Sequence, residues 1–482
     1  MNSGKEGDMS IKIDGETFCY TSAVELARLI GRKELSPVEV VTAFIRRIEV
    51  INPKVNAFCT LTFDSAIKEA KRAEQEVMEG KPLGPLHGVP FSVKDLVYTK
   101  GVRTMRGSKI FENFVPQEDA PLVERLKKAG GIMMGKTTTP EFGHKGMTDS
   151  PVTGITRNPW NPDMTPGGSS GGAAAQVAAG MTPLAVGTDG GGSIRNPASL
   201  TGIYGLKPTY GRVPVYPAGG FDSLSHAGPM TRTVGDAALM LSIMAGPHEA
   251  DPLSLEEAPD DYQGRLHEGI RELRIAWSPN LGFVPVVEEQ VADITADAAR
   301  AFEELGCRVE EVTDTGFEDP LSIHRPLWFG GLAGMLGDYL AAWESQMDPL
   351  LVTWTRIGLQ LSAADFVRAQ IRRNELRDKV RRFFEGYDLL LTPTLPVVAF
   401  KADVSAREGL KDSPVDYQNW SPFSAIFNLT QIPAASVPAG FTREGLPVGL
   451  QIAGPRFADL RVLQASAAFE SIRPWGNKHP AL

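Results

Sequence analysis

Two stretches near the start of the chain carry apolar residues three and four positions apart behind a capping serine: Ser22 with Glu25, then Ser36 with Pro37 and Glu39. Such starts satisfy the free N–H groups of a first helical turn, so residues 22–60 are expected to form a helical pair. From residue 82 the texture changes. Short apolar runs at 89–93 and 132–134 alternate with Gly-rich turns and with a helical period over 120–129. This alternation predicts an α/β sheet covered on both faces, with its densest part at 82–215. It resumes later with a strand over 273–277, an amphipathic helix over 287–305 and a buried strand over 387–391. Residues 247–262 are acidic and Pro-containing and 403–417 are polar and charged, so both read as surface excursions. No fixed-period repeat interrupts the pattern.

At 482 residues, 42% hydrophobic and 22% charged, the chain buries a sizeable core, and its length leaves the domain count open. A net charge of −9 gives no field that would draw nucleic acid or an anionic membrane. Cys19, Cys59 and Cys307 are odd in number, far apart and without C-x-x-C spacing. They encode neither a disulfide framework nor a zinc knuckle, and suit reduced thiols in a cytoplasm. Residues 1–10 lack the basic start and apolar run of a secretory signal. The longest weakly apolar stretch, 173–186, is broken by Gly180 and Pro183 and is too short to span a bilayer.

The chemistry concentrates in Gly167-Gly168-Ser169-Ser170-Gly171-Gly172 and Gly187-Thr188-Asp189-Gly190-Gly191-Gly192-Ser193-Ile194-Arg195, two Ser-bearing loops around one small-residue helix. Glycine permits close backbone approach at a cost in folding entropy, so this density points to a ligand-facing site rather than to two ordinary turns. The N–H groups of Gly190, Gly191, Gly192 and Ser193 are candidates for an oxyanion hole, with Ser193 as the attacking hydroxyl. A serine needs a proton acceptor, usually histidine. Here the seven histidines are scattered; His144 and His226 lie nearest, and His226, in the more loop-like setting, has a packed or capping alternative. The G-x-S-x-G elbow is absent as well, which weakens a Ser-His-Asp triad. Lys94 ends the apolar run Val89-Pro90-Phe91-Ser92-Val93. It becomes a base if burial lowers its pKa; the plain alternative is a solvated strand edge.

These loops, with Gly88-Val89-Pro90, Lys94-Asp95, Gly135-Lys136-Thr137, Pro140-Glu141-Phe142, Gly202, Gly205-Leu206-Lys207-Pro208, Gly211-Arg212-Val213, Gly228-Pro229-Met230 and Pro447-Val448-Gly449-Leu450-Gln451, resemble the amidase signature family over most of the chain. The resemblance implies a Ser-cis-Ser-Lys triad with Lys94 as base, Ser169 as bridge behind a cis Gly168–Ser169 bond, and Ser193 as nucleophile. It also implies that Ser170, Asp189 and Arg195 support the triad. The implied fold is an α/β/α sandwich with a mixed, mostly parallel central sheet, and the implied organisation is a single amidase domain over 1–482. The implied activity is hydrolysis of carboxylic amide C–N bonds through an acyl-enzyme, without metal or cofactor. An aromatic and Met-lined pocket would suit apolar or aryl amides, and by the same chemistry esters or carbamates, including urethanes. Phe142, Met147, Thr148, Trp328 and Phe329 are its candidate lining. The expected partner is a small-molecule substrate, with no nucleic acid and no membrane, for a cytoplasmic monomer or homodimer.

Three other readings compete. A glutaminase A subunit of a tRNA-dependent amidotransferase would show an Asp-Glu-Phe run and then a Ser-rich stretch after Lys136-Thr137, whereas this chain reads Thr139-Pro140-Glu141-Phe142-Gly143-His144-Lys145. A non-catalytic binding protein of the same fold would have no need of a complete Lys94, Ser169 and Ser193. Gly130-Gly131-Ile132-Met133-Met134-Gly135-Lys136-Thr137 fits the phosphate-loop pattern. A phosphate loop, however, follows a strand and opens a helix; here a helix precedes it, the loop is apolar, and Pro140 with Gly143 breaks any helix after it.

Overall fold

A computed structural model describes residues 18–221, 223–416 and 420–482, so the polar start at 1–10 and Tyr417 of the second excursion lie outside the described residues. Ser22 Oγ accepts the Glu25 N–H at 3.2 Å and caps helix α1 (Ala23–Gly31). Ahead of α2 (Pro37–Val55) the capping box is complete, because Glu39 also accepts the Ser36 N–H at 3.2 Å. Asn56 ends α2 with a φ of 52°, and the chain leaves as strand β1 (Phe58–Leu61). The helical pair therefore stops at Val55, and the end of the expected 22–60 span belongs to the sheet.

The other strands are β2 (Pro90–Lys94), β3 (Ile132–Thr137), the small hairpin of β4 (Asp149–Ser150) and β5 (Gly154–Ile155), β6 (Leu184–Asp189), β7 (Tyr204–Lys207), β8 (His226–Thr231), β9 (Arg274–Trp277), β10 (Arg308–Glu311), β11 (Leu389–Pro393), β12 (Ala434–Phe441) and β13 (Pro447–Ala453). Apart from the hairpin they form one eleven-stranded sheet in the order β1-β3-β2-β6-β8-β7-β12-β13-β11-β9-β10. The sheet is mixed as expected but not mostly parallel. Only β3–β2, β2–β6, β11–β9 and β9–β10 run parallel; the other six neighbour pairs are antiparallel. The reason is local: β7 to β8 and β12 to β13 join by loops without a crossover helix, which only antiparallel neighbours allow.

Helices α3 (Gly171–Ala178), α4 (Arg195–Thr201), α5 (Val234–Met244), α6 (Glu289–Glu304), α7 (Leu321–Leu336), α8 (Pro349–Leu359) and α9 (Asp459–Ile472) cover the sheet and its end. Alternation along β6 shows the layering. Leu184 and Val186 join the large core with Phe44 of α2, Leu241 of α5, Phe302 of α6 and Phe469 of α9. Ala185 between them turns to a smaller cluster with Ala174, Val177 and Ala198 from α3 and α4. The small residues of α3 thus let the two Ser-bearing loops approach the sheet closely.

The phosphate-loop pattern is a strand: Gly135, Lys136 and Thr137 belong to β3. The buried Lys136 ammonium donates to Val97 O, to Thr99 Oγ1 at 3.0 Å and to Thr104 Oγ1 at 3.1 Å. Residues 247–262 hold neither helix nor strand. The 403–417 excursion is less superficial than its composition suggests: Leu410 and Val415 pack with Met147 and Phe400.

Candidate active site

Lys94 is the last residue of β2 and fully buried. Its Nζ lies 2.7 Å from Ser169 Oγ, 2.9 Å from Ser170 Oγ and 3.0 Å from Thr188 Oγ1. Desolvation holds the amine well below its ordinary value, opposed only by the more distant charge of Asp189. One of its three neighbours has a defined role. The Ser170 hydroxyl donates to Thr188 O at 3.1 Å and accepts the Thr188 N–H at 3.2 Å, so toward Lys94 it can only accept. A neutral amine that spends its N–H groups on Ser170 and Thr188 turns its lone pair to the Ser169 hydroxyl.

Ser169 and Ser170 lie between β5 and α3, and the Gly168–Ser169 peptide is cis, as the resemblance implied. The Ser170 N–H donates to Ser193 O at 3.1 Å, which ties the first loop to the second. Thr148 holds the first loop from the other side, donating to Gly167 O at 2.7 Å and accepting the Gly171 N–H at 3.2 Å.

The second loop is folded around Asp189, the buried last residue of β6. Its carboxylate accepts the N–H groups of Gly192 at 2.7 Å and Ile194 at 3.1 Å, two bonds of 3.0 Å from Arg195, and one of 2.9 Å from Asn428 Nδ2. Burial alone would raise this carboxyl, but the charge and hydrogen bonds of Arg195, with Lys207 and Asn428, hold it far below the carboxylate range. Arg195, equally buried, spends its remaining donors on Ser424 O, Gln451 Oε1 and Asn428 Oδ1. This corrects one expectation: the Gly192 N–H is committed to Asp189 and is not available to an oxyanion. The N–H groups of Gly190, Gly191 and Ser193 have no acceptor among the described residues.

His226 is not placed to serve Ser193. It pairs with Asp189 across β8 and β6, and its ring Nδ1 donates to Leu224 O at 2.8 Å. Desolvation, then Lys207, holds it well below its ordinary value, so it stays neutral. His144 bonds Glu141 O through Nδ1 at 2.8 Å and contacts Asp348 through Nε2 at 3.5 Å.

Ser193 opens into a cavity of about 1030 Å³. Of the five expected lining residues, Met147, Trp328 and Phe329 are there, with Trp354 and Trp420 beside them. Phe142 and Thr148 are corrections. Phe142 packs behind the wall, in a cluster with Leu332 and Leu336 on which Trp328, Phe329 and Trp354 lie, and Thr148 is spent on the serine loop. Sequence reasoning missed Thr188, Asn428, Ser424 and His324. Thr188 was within reach, as it sits inside the second loop. Asn428 and His324 come from distant segments with no motif of their own. Among the described residues no group of three or more His, Cys, Asp or Glu side chains could hold a metal, and no helix is long and apolar enough to cross a membrane.

The Amidase family profile matches residues 39–463. The chain is 41% identical to an acylamidase of Rhodococcus erythropolis over 96% of its length and 97% of that protein. It is 37% identical to the A subunit of the glutamyl-tRNA(Gln) amidotransferase of Moorella thermoacetica, over 96% and 99% of the two chains. The crystal structure of a bacterial aryl acylamidase of the amidase signature enzymes superposes with a TM-score of 0.87 at 34% identity, covering 95% of this chain and 97% of that one.

Proposed function

The chain belongs to the amidase signature family and is a hydrolase of carboxylic amide C–N bonds, and on that premise we propose that it cleaves apolar and aryl amides through an acyl-enzyme on Ser193. The observation that carries this reading is Lys94: buried, held below its ordinary pKa, and 2.7 Å from the Ser169 hydroxyl. Lys94 takes the Ser169 proton as Ser169 takes that of Ser193, whose oxygen attacks the amide carbonyl. Negative charge develops on the carbonyl oxygen, where the N–H groups of Gly190, Gly191 and Ser193 stabilise it. The same relay returns the proton to the leaving amine. Water then attacks the Ser193 ester and releases the acid.

For the substrate, the aromatic residues Trp328, Phe329 and Trp354 that line the cavity with Ser193 support an apolar or aryl group, as does the likeness to a bacterial aryl acylamidase. The continuous eleven-stranded sheet supports one amidase unit. The net charge of −9 and three cysteines without a disulfide among them support a cytoplasmic enzyme that works without nucleic acid, as the expected monomer or homodimer. The test is turnover of anilides, aliphatic amides, nitrophenyl esters, aryl carbamates and free glutamine by the parent and Ser193→Ala enzymes. Anilides should dominate and Ser193→Ala should be silent; dominant turnover of glutamine would replace this reading with that of a glutaminase subunit.

A further inference from the structure

One contact at the oxyanion loop comes from outside the Ser-bearing segments. His324, in the first turn of α7, places its Nε2 at 3.1 Å from Gly190 O. A carbonyl oxygen only accepts, so Nε2 carries the proton. Desolvation lowers the ring's pKa, which favours this neutral tautomer. The ring is held in place by an aromatic stack: it lies 5.3 Å from Trp328, one helical turn on, at an interplanar angle of 22°, and Trp328 lies 3.9 Å from Phe221 at 14°.

α7 leaves little room over the two glycines it covers. A Cβ on Gly190 would meet Trp328 Cζ3 at 2.8 Å, and one on Gly191 would meet His324 Nε2 at 3.1 Å. The peptide between them is trans, because the cis bonds are Gly168–Ser169 and Tyr216–Pro217. In a trans peptide the C=O and N–H point opposite ways. With Gly190 O fixed toward His324, the Gly191 N–H faces away from α7, where it has no acceptor among the described residues. Donation to the carbonyl of a peptide also polarises its N–H, making it a stronger donor.

We propose that His324 is a positioning residue for the oxyanion hole, locking the Gly190–Gly191 peptide so that the Gly191 N–H is presented to the developing oxyanion. This rests on the assignment of Ser193 as nucleophile and adds a residue from the second half of the chain to the catalytic apparatus. His324 also lines the cavity, but its proposed action on the oxyanion runs through Gly191. Its contribution should therefore appear in the rate and in affinity for a transition-state mimic, and not in ground-state binding.

The experiment compares His324→Phe and His324→Gln with the parent. His324→Phe keeps a ring in the stack and removes the donor; His324→Gln offers an amide N–H2 at a similar reach. On an anilide, His324→Phe should lower kcat by about tenfold or more, below the 10²–10³ expected for direct loss of an oxyanion donor, with KM within about twofold. Binding of a trifluoromethyl ketone analogue should weaken by the same factor as kcat/KM, and His324→Gln should recover most of both losses. A parental kcat in His324→Phe, a loss carried wholly by KM, or a His324→Gln enzyme no better than His324→Phe would each overturn the proposal. Fluorophosphonate labelling is run alongside, with thermal melting to establish that each variant is folded. Parent enzyme unlabelled at Ser193 would sink the Ser193 assignment itself, whereas labelled Ser193 with an indifferent His324→Phe variant would sink only the role of His324.

Discussion

Lys94 Nζ and Ser169 Oγ sit 2.7 Å apart among hydroxyl and carbonyl oxygens, with no carboxylate in contact with the amine among the described residues. An ammonium there would be buried without a counter-ion, so the site favours the base over its conjugate acid.

The first prediction concerns pH. Only the neutral amine accepts a proton, and protonation occurs below its pKa, so kcat should rise with pH and then level off. Because desolvation lowers that pKa, the rise should lie well below the free lysine value of about 10.4. Rate profiles of the parent, Lys94→Ala and His226→Ala enzymes check this. The limb should vanish with Lys94 and survive loss of His226; the reverse would mean a histidine base.

Ser193→Ala should abolish labelling by a fluorophosphonate, and Ser169→Ala should bind substrate yet turn over several powers of ten more slowly. Mass spectrometry of the labelled chain reads the modified residue directly. Undiminished labelling of Ser193→Ala would place the nucleophile on another serine.

Replacing Asp189 by Ala should cost about 3–5 kcal/mol in denaturant unfolding, because Arg195 would be left buried without its carboxylate. The sign with pH follows from the lowered carboxyl. Its contribution is complete above the unfolded value of about 3.9 and erodes as pH falls below that value. A loss under about 1 kcal/mol would show that the loop is held by other means.

Gly192→Ala introduces a Cβ at 2.6 Å from both Asn196 Nδ2 and Ser424 Cβ, at a φ of 122° that side chains avoid. The loop should rearrange, with a stability loss of about 1–3 kcal/mol and a fall in kcat larger than that in substrate affinity. Melting curves and steady-state kinetics measure the two effects. Unchanged kcat would mean that the Gly192 geometry does not matter to the nucleophile.

Trp328→Ala removes a cavity wall that is stacked on Phe221. KM for anilides should rise about tenfold while that for a short aliphatic amide changes little, since a lost aryl contact is worth about 1–3 kcal/mol. Equal effects on both substrates would place Trp328 in the scaffold rather than in recognition.

Much of the candidate site was legible because its chemistry lies in two short segments. The glycine density around Ser169 and Ser193 marked the loops, and Lys94 stood out as a charge at the end of an apolar run. The fold was legible as alternating strands and helices, yet the antiparallel majority of the sheet was not, because nothing local to β7 or β12 states which neighbour it will meet. Gly192 illustrates another limit. A run of three glycines suggests equivalent N–H groups, and only the position of the Asp189 carboxylate distinguishes the one it captures. Phe142 and Thr148 failed as pocket residues for a similar reason: proximity in sequence to the site left their side-chain directions open. Asn428 and His324 arrive through tertiary contacts over long separations, and no spacing announces them.

The helix that carries Trp328 into the cavity also carries His324 onto Gly190 O. The surface that sorts substrates and the strut beneath the oxyanion loop are thus one rigid body, four residues apart on the same helix. A lineage that reshapes this wall for a bulkier or smaller acyl group cannot shift the helix without also shifting the strut. New specificity should therefore come with an initial penalty in turnover, and the compensating changes should then gather at the seat of α7 rather than around Ser193.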